Sequence, residues 1–187
     1  MNYADIKYCD VANGEGVRVS LFVSGCTHHC KECFNKEAWD FHYGNPFTQK
    51  EIDRILEYLK PNYIAGLSLL GGEPMEPVNQ EGILPLLRVV KQTYPEKNIW
   101  CYTGYLFDKD VLDKMCKESE VTKEIVSYLD IVVDGEFMID RKNLKINFRG
   151  SDNQRIIDVK KFPFQTIPQS ICNHKINKCC TSSKKQI

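Results

Sequence analysis

The stretch RVSLFVSGCTHHCKECFN, from Arg18 to Asn35, joins two sequence patterns. Its first part, RVSLFVSG, is a short apolar run with β-branched residues that ends in glycine, which predicts a buried strand. Three cysteines then follow within eight residues, at Cys26, Cys30 and Cys33. A strand that leads directly into a cysteine loop predicts chemistry at the strand's carboxyl end, where α/β proteins place their sites.

Strands and helices alternate along the rest of the chain. Further strands are predicted in YIAGLSLLGG, NIWCYTG and DIVVDGEF, with a possible fifth in RIIDV. Helices are predicted in TQKEIDRILEYL, where Thr48 and Glu51 form a capping box, in GILPLLRVVKQTY, interrupted near its start by Pro85, and in KDVLDKMCKESEVTKEIVSYL, in one or two pieces. This order predicts an α/β fold with mostly parallel strands. Because a full barrel usually needs roughly 200 residues or more, we expect an incomplete TIM-like β/α barrel, with the cysteine loop after the first strand.

The chain length of 187 residues predicts one domain. Periodicity is lost near Phe162, so we expect a domain at residues 1–161 and a C-terminal tail of unknown role at 162–187. The tail contains four potential zinc ligands, whose spacing fits no usual zinc finger: Cys172, His174, Cys179 and Cys180.

Charge and cysteine content limit the classes of protein. The chain has 25 basic and 25 acidic residues, so no net charge attracts it to nucleic acid or to a membrane surface. Its start carries no signal-peptide pattern, and its apolar runs are too short to span a bilayer. Nine cysteines are an odd number, which argues against a disulfide scaffold and favours metal or redox chemistry in the cytoplasm.

Three adjacent thiols allow two kinds of metal centre. A structural zinc site needs four ligands, which Cys26, Cys30, Cys33 and one of the neighbouring histidines could supply. A [4Fe–4S] cluster is normally held by four cysteines, so three would leave one iron open for a small molecule. The C-x₃-C-x₂-C spacing has no second ligand pair before the tail, as zinc sites usually do. The spacing therefore favours the cluster.

This loop resembles the signature of the radical S-adenosylmethionine enzymes. The resemblance implies that Cys26, Cys30 and Cys33 hold a [4Fe–4S] cluster and that S-adenosylmethionine chelates the fourth iron through its amino and carboxylate groups. The superfamily usually has an aromatic residue just before the third cysteine. Here Glu32 occupies that position and the aromatic residue, Phe34, follows. We expect both to contribute to cofactor binding.

Two later motifs fit the same superfamily. The LGGEP stretch contains Gly71, Gly72 and Glu73 after a predicted strand. Glycines let a backbone approach a ligand closely and a carboxylate pairs with an ammonium group, and the resemblance implies that this motif binds the amino group of S-adenosylmethionine. Thr103, in WCYTGY, is expected to meet the carboxylate or ribose, although a capping threonine in a turn explains it equally well.

A narrower resemblance covers residues 13–155. In these residues the chain resembles the activating enzymes of anaerobic ribonucleoside-triphosphate reductase. The stretches that carry the resemblance are NGEGVR, LFVSGCTHHCKECFN, LLGGEPMEP, IWCYTGY, DIVVDGEF and FRGSDNQR. It implies that reduced flavodoxin or ferredoxin supplies one electron, that S-adenosylmethionine is cleaved to methionine and a 5′-deoxyadenosyl radical, and that this radical generates a glycyl radical on the reductase's large subunit.

Two alternatives remain at the level of sequence. One is an activase of another glycyl-radical enzyme, or an enzyme acting on a small molecule. The other is a non-enzymatic zinc or iron–sulfur module. Among the remaining residues, Asp130 or Asp134 could bind a cation, and the roles of Arg149 and Arg155 are open. The remaining cysteines before the tail are expected in the core: Cys9, Cys101 and Cys116.

Overall fold

The computed structural model describes residues 1–162 and contains one seven-stranded sheet. The strands are β1 (Asn2–Asp10), β2 (Val17–Val23), β3 (Asn45–Pro46), β4 (Ile64–Gly71), β5 (Asn98–Thr103), β6 (Ile131–Asp134) and β7 (Arg155–Asp158). Their order across the sheet is β3-β1-β2-β4-β5-β6-β7, so the sheet is open and has β3 and β7 at its ends.

The centre of the sheet is parallel and its margins are antiparallel. Strands β2, β4, β5 and β6 pair in parallel, while β1 is antiparallel to β2 and β3, and β7 is antiparallel to β6. The predicted α/β class is confirmed, and the parallel strands direct their carboxyl ends to one edge. Curvature of this sheet into part of a barrel stays a prediction.

Helices cover one face of the sheet. They are α1 (Gln49–Leu59), α2 (Pro77–Thr93), α3 (Cys116–Glu118) and α4 (Glu120–Tyr128), and a π-helical stretch, Phe107–Met115, leads into α3. The strand side chains alternate between the two faces, so that Leu67 and Leu69 lie in the main core with the helices while Ser68 lies on the other face. The second face has a smaller cluster around Trp100, and this leaves room there for a cavity.

The helix signals in the sequence have mixed outcomes. The capping box at Thr48 is present, with the Thr48 backbone N–H donating to Glu51 Oε2 at 2.9 Å. The third predicted helix does divide, at Ser119, whose hydroxyl accepts from the Thr122 N–H. The predicted interruption at Pro85 is wrong, because α2 begins at Pro77 and continues through Pro85. Proline is favoured in the first turn, and burial of neighbouring leucines offsets the roughly 3 kcal/mol cost of an internal proline.

The position of the cysteine loop in the strand order needs one correction. The loop follows β2, the second strand, because β1 precedes it. The sequence did not predict β1, since this strand is only partly buried and its residues lack a clear apolar alternation. The strand that feeds the loop is as predicted.

Within residues 1–162, none of the helices combines the length and the apolar character that crossing a membrane requires. Apart from Phe162, the predicted tail lies outside the described residues, and so do its potential zinc ligands, Cys172, His174, Cys179 and Cys180.

Candidate functional site

A cavity of about 530 Å³ lies at the carboxyl ends of the parallel strands. Its wall includes the three cysteines of the loop after β2, the Gly-Gly-Glu turn after β4, and the end of β5. The loop between β6 and β7 closes another side with Phe137, Phe148 and Arg149. Eight of the nine predicted site residues line this one cavity, and Glu32 does not: the eight are Cys26, Cys30, Cys33, Phe34, Gly71, Gly72, Glu73 and Thr103.

Phe34 and Glu32 flank the third cysteine and have different surroundings. Phe34 lines the cavity. Its ring is 72% exposed, contacts Phe137 with ring centroids 5.3 Å apart, and lies 5.0 Å from the Lys142 ammonium group. Glu32 is not part of the wall, and its carboxylate lies 3.7 Å from the Lys36 ammonium group. Its contribution to cofactor binding stays a prediction.

The three cysteines present free thiols to the cavity. Cys26 is buried, while Cys30 and Cys33 are partly exposed, and the Cys33 N–H donates to the Cys30 carbonyl at 3.1 Å. Burial raises the pKa of the Cys26 thiol to about 11 and also raises the pKa of Cys30. Thiolates are the ligands that iron–sulfur clusters use, so this donor set fits such a cluster.

The cysteine loop is attached to the Gly-Gly-Glu turn through the backbone. The Gly72 N–H donates to Val23 at 2.7 Å, and the Glu73 N–H donates to Gly25 at 2.8 Å. A Cβ atom at Gly72 would lie only 2.5 Å from the Gly25 carbonyl oxygen, so no larger residue fits this contact. Gly71 has a φ of 110°, which also favours glycine. The two glycines therefore bring the turn and the loop into direct contact.

The Glu73 carboxylate is buried beside the cavity and is held by three donors. Its Oε1 accepts from the Met75 N–H at 2.8 Å, and its Oε2 accepts from the Gly104 N–H at 2.7 Å. The imidazole Nε2 of His28 lies 3.0 Å from the same Oε2. With the carboxylate 1% exposed, these contacts replace the water it would otherwise bind.

His28 connects the cysteine loop to two other loops. Its Nε2 faces Glu73, and its Nδ1 lies 3.1 Å from the carboxylate of Glu136, in the loop after β6. Burial disfavours a charged imidazole, but the hydrogen bonds and charges of Glu73 and Glu136 outweigh this effect and raise the pKa of His28. The ring also packs edge-on against Tyr105, with centroids 4.4 Å apart.

A second glutamate holds the neighbouring residue of the cysteine loop. Glu76 accepts hydrogen bonds from both the backbone N–H, at 3.1 Å, and the hydroxyl of Thr27. Thr27 and His28 are consecutive, and each is bound by a glutamate of the GGEPME stretch. The segment between the first two cysteines is therefore fixed by side chains as well as by backbone.

Thr103 lies at the end of β5, where it lines the cavity and is 6% exposed. Its hydroxyl accepts from the Tyr105 N–H at 3.1 Å, which is the turn-capping arrangement that the sequence allowed. A capping contact leaves the second lone pair and the proton of the hydroxyl available. Its expected contact with S-adenosylmethionine stays a prediction.

The two aspartates near β6 have basic partners. Asp130 lies 2.9 Å from the Lys91 ammonium group and 2.6 Å from that of Lys160, and these contacts outweigh burial and lower the pKa of Asp130. Asp134 is fully buried, accepts from the Phe107 N–H at 2.8 Å, and accepts from Arg155 Nε at 2.9 Å. Among residues 1–162, no three His, Cys, Asp or Glu side chains form a group that could hold a single metal ion.

The two arginines with open roles lie in different places. Arg155 bridges Asp134 and Asp108, so its guanidinium joins β7 to the end of β6 and to the π-helical stretch. Arg149 lines the cavity, where it donates to the Gln154 carbonyl at 3.0 Å.

The other described cysteines do not lie at the cavity wall. Cys101 is fully buried in the main core, where burial raises its pKa well above the usual value, and Cys116 packs at the edge of that core. The prediction that Cys9 is a core residue is wrong, because Cys9 is exposed and has a φ of 58°. The irregular pairing between β1 and β2 near Asp10 explains why its side chain is not turned inward.

Several wall residues were not predicted as site residues. Asn13 comes from the NGEG stretch, and Phe148 comes from FRGSDNQR. Both stretches belong to the family resemblance, and this membership is the sequence signal that could have assigned Asn13 and Phe148 to the site. The sequence indicates His28 only as a possible fourth zinc ligand, because its partners Glu73 and Glu136 are distant in the sequence.

Comparison with known proteins gives a consistent family. Residues 12–157 match the family model described as a 4Fe-4S single cluster domain. Relatives named anaerobic ribonucleoside-triphosphate reductase-activating protein include one from Pasteurella multocida, 40% identical over 158 residues, which are 83% of this chain and 96% of the relative. One from Enterobacteria phage T4 is 43% identical over 158 residues, 83% of this chain and 93% of the relative. One from Escherichia coli K12 is 38% identical over 156 residues, 82% of this chain and 96% of the relative.

Proposed function

The chain belongs to the family of anaerobic ribonucleoside-triphosphate reductase-activating proteins, and from this premise we propose that it is an enzyme that generates a glycyl radical on the large subunit of such a reductase. The observation that carries the proposal is the shared cavity. Three free thiols, a Gly-Gly-Glu turn and the end of β5 line one space at the carboxyl ends of parallel strands.

Cys26, Cys30 and Cys33 would hold the [4Fe–4S] cluster. When bound and supplied with one electron by reduced flavodoxin or ferredoxin, the cluster would supply the reducing power for cleavage of S-adenosylmethionine to methionine and a 5′-deoxyadenosyl radical. The protein contributes a short loop that brings all three thiols to one wall, and backbone contacts that fix this loop to the turn after β4.

The remaining predicted residues would bind S-adenosylmethionine. The turn at Gly71 and Gly72 places backbone next to the cavity, and the Glu73 carboxylate would attract the ammonium group. Thr103 would meet the carboxylate or ribose from the end of β5. Phe34 offers an apolar surface in the cavity wall. Glu32, which is not part of that wall, would contribute to cofactor binding from beside the third cysteine.

We further propose that the sheet is part of an incomplete β/α barrel. The parallel strands β2, β4, β5 and β6 would form its closed part, and the end strands leave the other side unpaired. An open side would let a segment of the reductase enter. Glycine is suited as the target because its Cα has no Cβ that would hinder close approach.

We assign this activity to residues 1–161, with the tail at 162–187 accessory, and we place it in the cytoplasm. The odd number of nine cysteines argues against a disulfide scaffold, which supports a reducing compartment. The chain has no net charge, which supports a protein partner over nucleic acid or a membrane.

The test combines the reconstituted protein, S-adenosylmethionine, a one-electron reductant and the reductase from the same organism without oxygen. Electron paramagnetic resonance should show a doublet glycyl radical on the reductase, and ribonucleotide reduction should begin. Cys30→Ser and Glu73→Ala should each remove or greatly weaken the signal. Cleavage of S-adenosylmethionine without this radical would favour another glycyl-radical partner or a small molecule. Absence of cleavage would favour a non-enzymatic metal module.

A further inference from the structure

His28 has no role in the function proposed above, yet it is one of the most connected side chains of the site. Its side chain is 9% exposed, although it lies between two cysteines in an otherwise accessible loop. Its two ring nitrogens face carboxylates from two different loops, Glu73 at 3.0 Å and Glu136 at 3.1 Å. Such double engagement fixes both the position and the plane of the imidazole.

Gly104 makes room for this ring. A Cβ atom at Gly104 would lie 2.6 Å from both Cδ2 and Nε2 of His28, closer than side chains approach one another. The Gly104 N–H also donates to Glu73 Oε2 at 2.7 Å, beside the His28 contact. The glycine of WCYTGY thus allows the imidazole and the N–H to reach the same carboxylate oxygen.

The Glu73 carboxylate has one acceptor position left. An ionised carboxylate offers about four lone-pair sites. Met75, Gly104 and His28 occupy three of them within the described chain, two of these on Oε2. The remaining site is on Oε1. The orientation of this oxygen depends on the contacts that hold Oε2.

We infer that His28 is a positioning residue, which orients the Glu73 carboxylate so that Oε1 can receive the ammonium group of S-adenosylmethionine. This inference rests on the proposed function. His28 comes from the loop that carries the cysteines, so the same contact sets the distance between the thiols and the group that binds the cosubstrate. Removing the imidazole should weaken cosubstrate binding and leave the thiols in place.

Two amide substitutions separate the two contacts of the ring. The amide nitrogen of glutamine can take the place of Nε2, so His28→Gln keeps a donor for Glu73. The amide nitrogen of asparagine can take the place of Nδ1, so His28→Asn keeps only the contact with Glu136. The two variants are similar in polarity, and a general effect on loop folding should appear in both.

The experiment uses the full chain, reconstituted anaerobically with iron and sulfide. It measures iron content, the dissociation constant of S-adenosylmethionine, and the change that S-adenosylmethionine causes in the electron paramagnetic resonance spectrum of the reduced cluster. His28→Ala and His28→Asn should retain iron but need roughly 10-fold to 100-fold more S-adenosylmethionine for the spectral change. His28→Gln should restore most of the affinity. If His28→Ala loses iron, the difference in S-adenosylmethionine affinity between His28→Gln and His28→Asn still tests the inference.

A second variant tests the same contact from the other side. Gly104→Ala should displace the imidazole and weaken binding in the wild-type background. In the His28→Ala background it should have little further effect, because there is no ring to displace. His29→Asn is the matched control, since His29 is an exposed neighbour that stacks on Trp39 and asparagine tolerates its φ of 51°. This control should bind S-adenosylmethionine like the wild type.

Two results would overturn the inference. One is a His28→Ala protein that binds S-adenosylmethionine as tightly as the wild type. The other is rescue by asparagine and not by glutamine, which would assign the role to the Glu136 contact. A wild-type protein that binds no S-adenosylmethionine would overturn the proposed function together with this inference. A wild type that binds it and a His28→Ala variant that is unchanged would overturn the inference alone.

Discussion

The six described cysteines differ in what surrounds their sulfur atoms. Cys26, Cys30 and Cys33 line the cavity, whereas Cys101 is buried in the main core and Cys9 is exposed on β1. Each Cys→Ser change in the loop should remove iron and the visible absorption of the cluster, because a serine hydroxyl is a harder and weaker ligand for iron than a thiolate. Iron analysis and absorption spectra after anaerobic reconstitution check this.

Cysteines outside the loop provide the controls for this prediction. Cys101→Ala tests a buried thiol, and Cys9→Ser and Cys116→Ser test an exposed and a partly exposed one. All three variants should load iron to the level of the wild type. If Cys101→Ala could not hold iron although it folds, the assignment of the ligands to the loop would have to be abandoned.

At the scale of elements, the part of the fold that the sequence predicts best is the part with a continuous apolar pattern. Strands β2, β4, β5 and β6 are mostly buried, and their sequences are accordingly rich in apolar residues. Strand β1 is partly exposed and charged, so its pattern is weak even though it pairs along most of β2. Local patterns report burial, and they do not report pairing with a distant strand.

The candidate site shows the same limit: local motifs identify its residues, but they do not predict contacts between residues distant in the sequence. Cysteine spacing and the Gly-Gly-Glu motif are local, and the residues they identify do line one cavity. The contacts of His28 with Glu73 and of Thr27 with Glu76 join positions 45 and 49 residues apart. No spacing rule in a single sequence can reveal such pairs, because they depend on how strands β2 and β4 are placed side by side.

The packing of the turn after β4 against the cysteine loop gives a prediction at this scale. Gly72→Ala should lower the free energy of unfolding by about 1–3 kcal/mol, because the new Cβ would meet the carbonyl oxygens of Gly25 and Ala38 at 2.5 and 2.8 Å. Thermal unfolding of the iron-free protein measures the change without any contribution from the cluster.

Gly82→Ala is the matched control for this substitution. Gly82 lies within α2, and its added Cβ would meet the flexible side chain of Met1. Alanine is favoured over glycine inside a helix by about 1 kcal/mol, so this variant should unfold at the same temperature as the wild type or higher. An equal loss of stability in both variants would contradict the packing explanation.

At the scale of the whole molecule, the main question is where the functional domain ends. The ring of Phe162 packs against Phe107, with centroids 5.4 Å apart, so the core extends to this residue. A chain shortened to end at Phe162 should fold, bind iron and cleave S-adenosylmethionine. A chain that ends at Lys161 lacks the aromatic contact, worth about 0.5–1.5 kcal/mol beyond its buried area, and should unfold a few degrees lower.

Thermal unfolding, iron content and a 5′-deoxyadenosine assay on both shortened chains test this boundary. Loss of iron from the chain ending at Phe162 would show that the tail takes part in the metal site. Stoichiometric zinc in the full-length protein, removed by substituting Cys172, Cys179 and Cys180, would show that the tail forms a metal site of its own.

The three proposed ligands belong to one segment between β2 and β3, and this has a consequence for how long the protein stays active. A cofactor held by several distant elements is released when the fold as a whole opens. Here the opening of a single surface segment is sufficient, and segments of this kind open far more often than whole domains unfold. The working lifetime of the enzyme and the lifetime of its fold are therefore separate quantities, and the bonds from Glu73 and Glu76 to that segment govern the first of them.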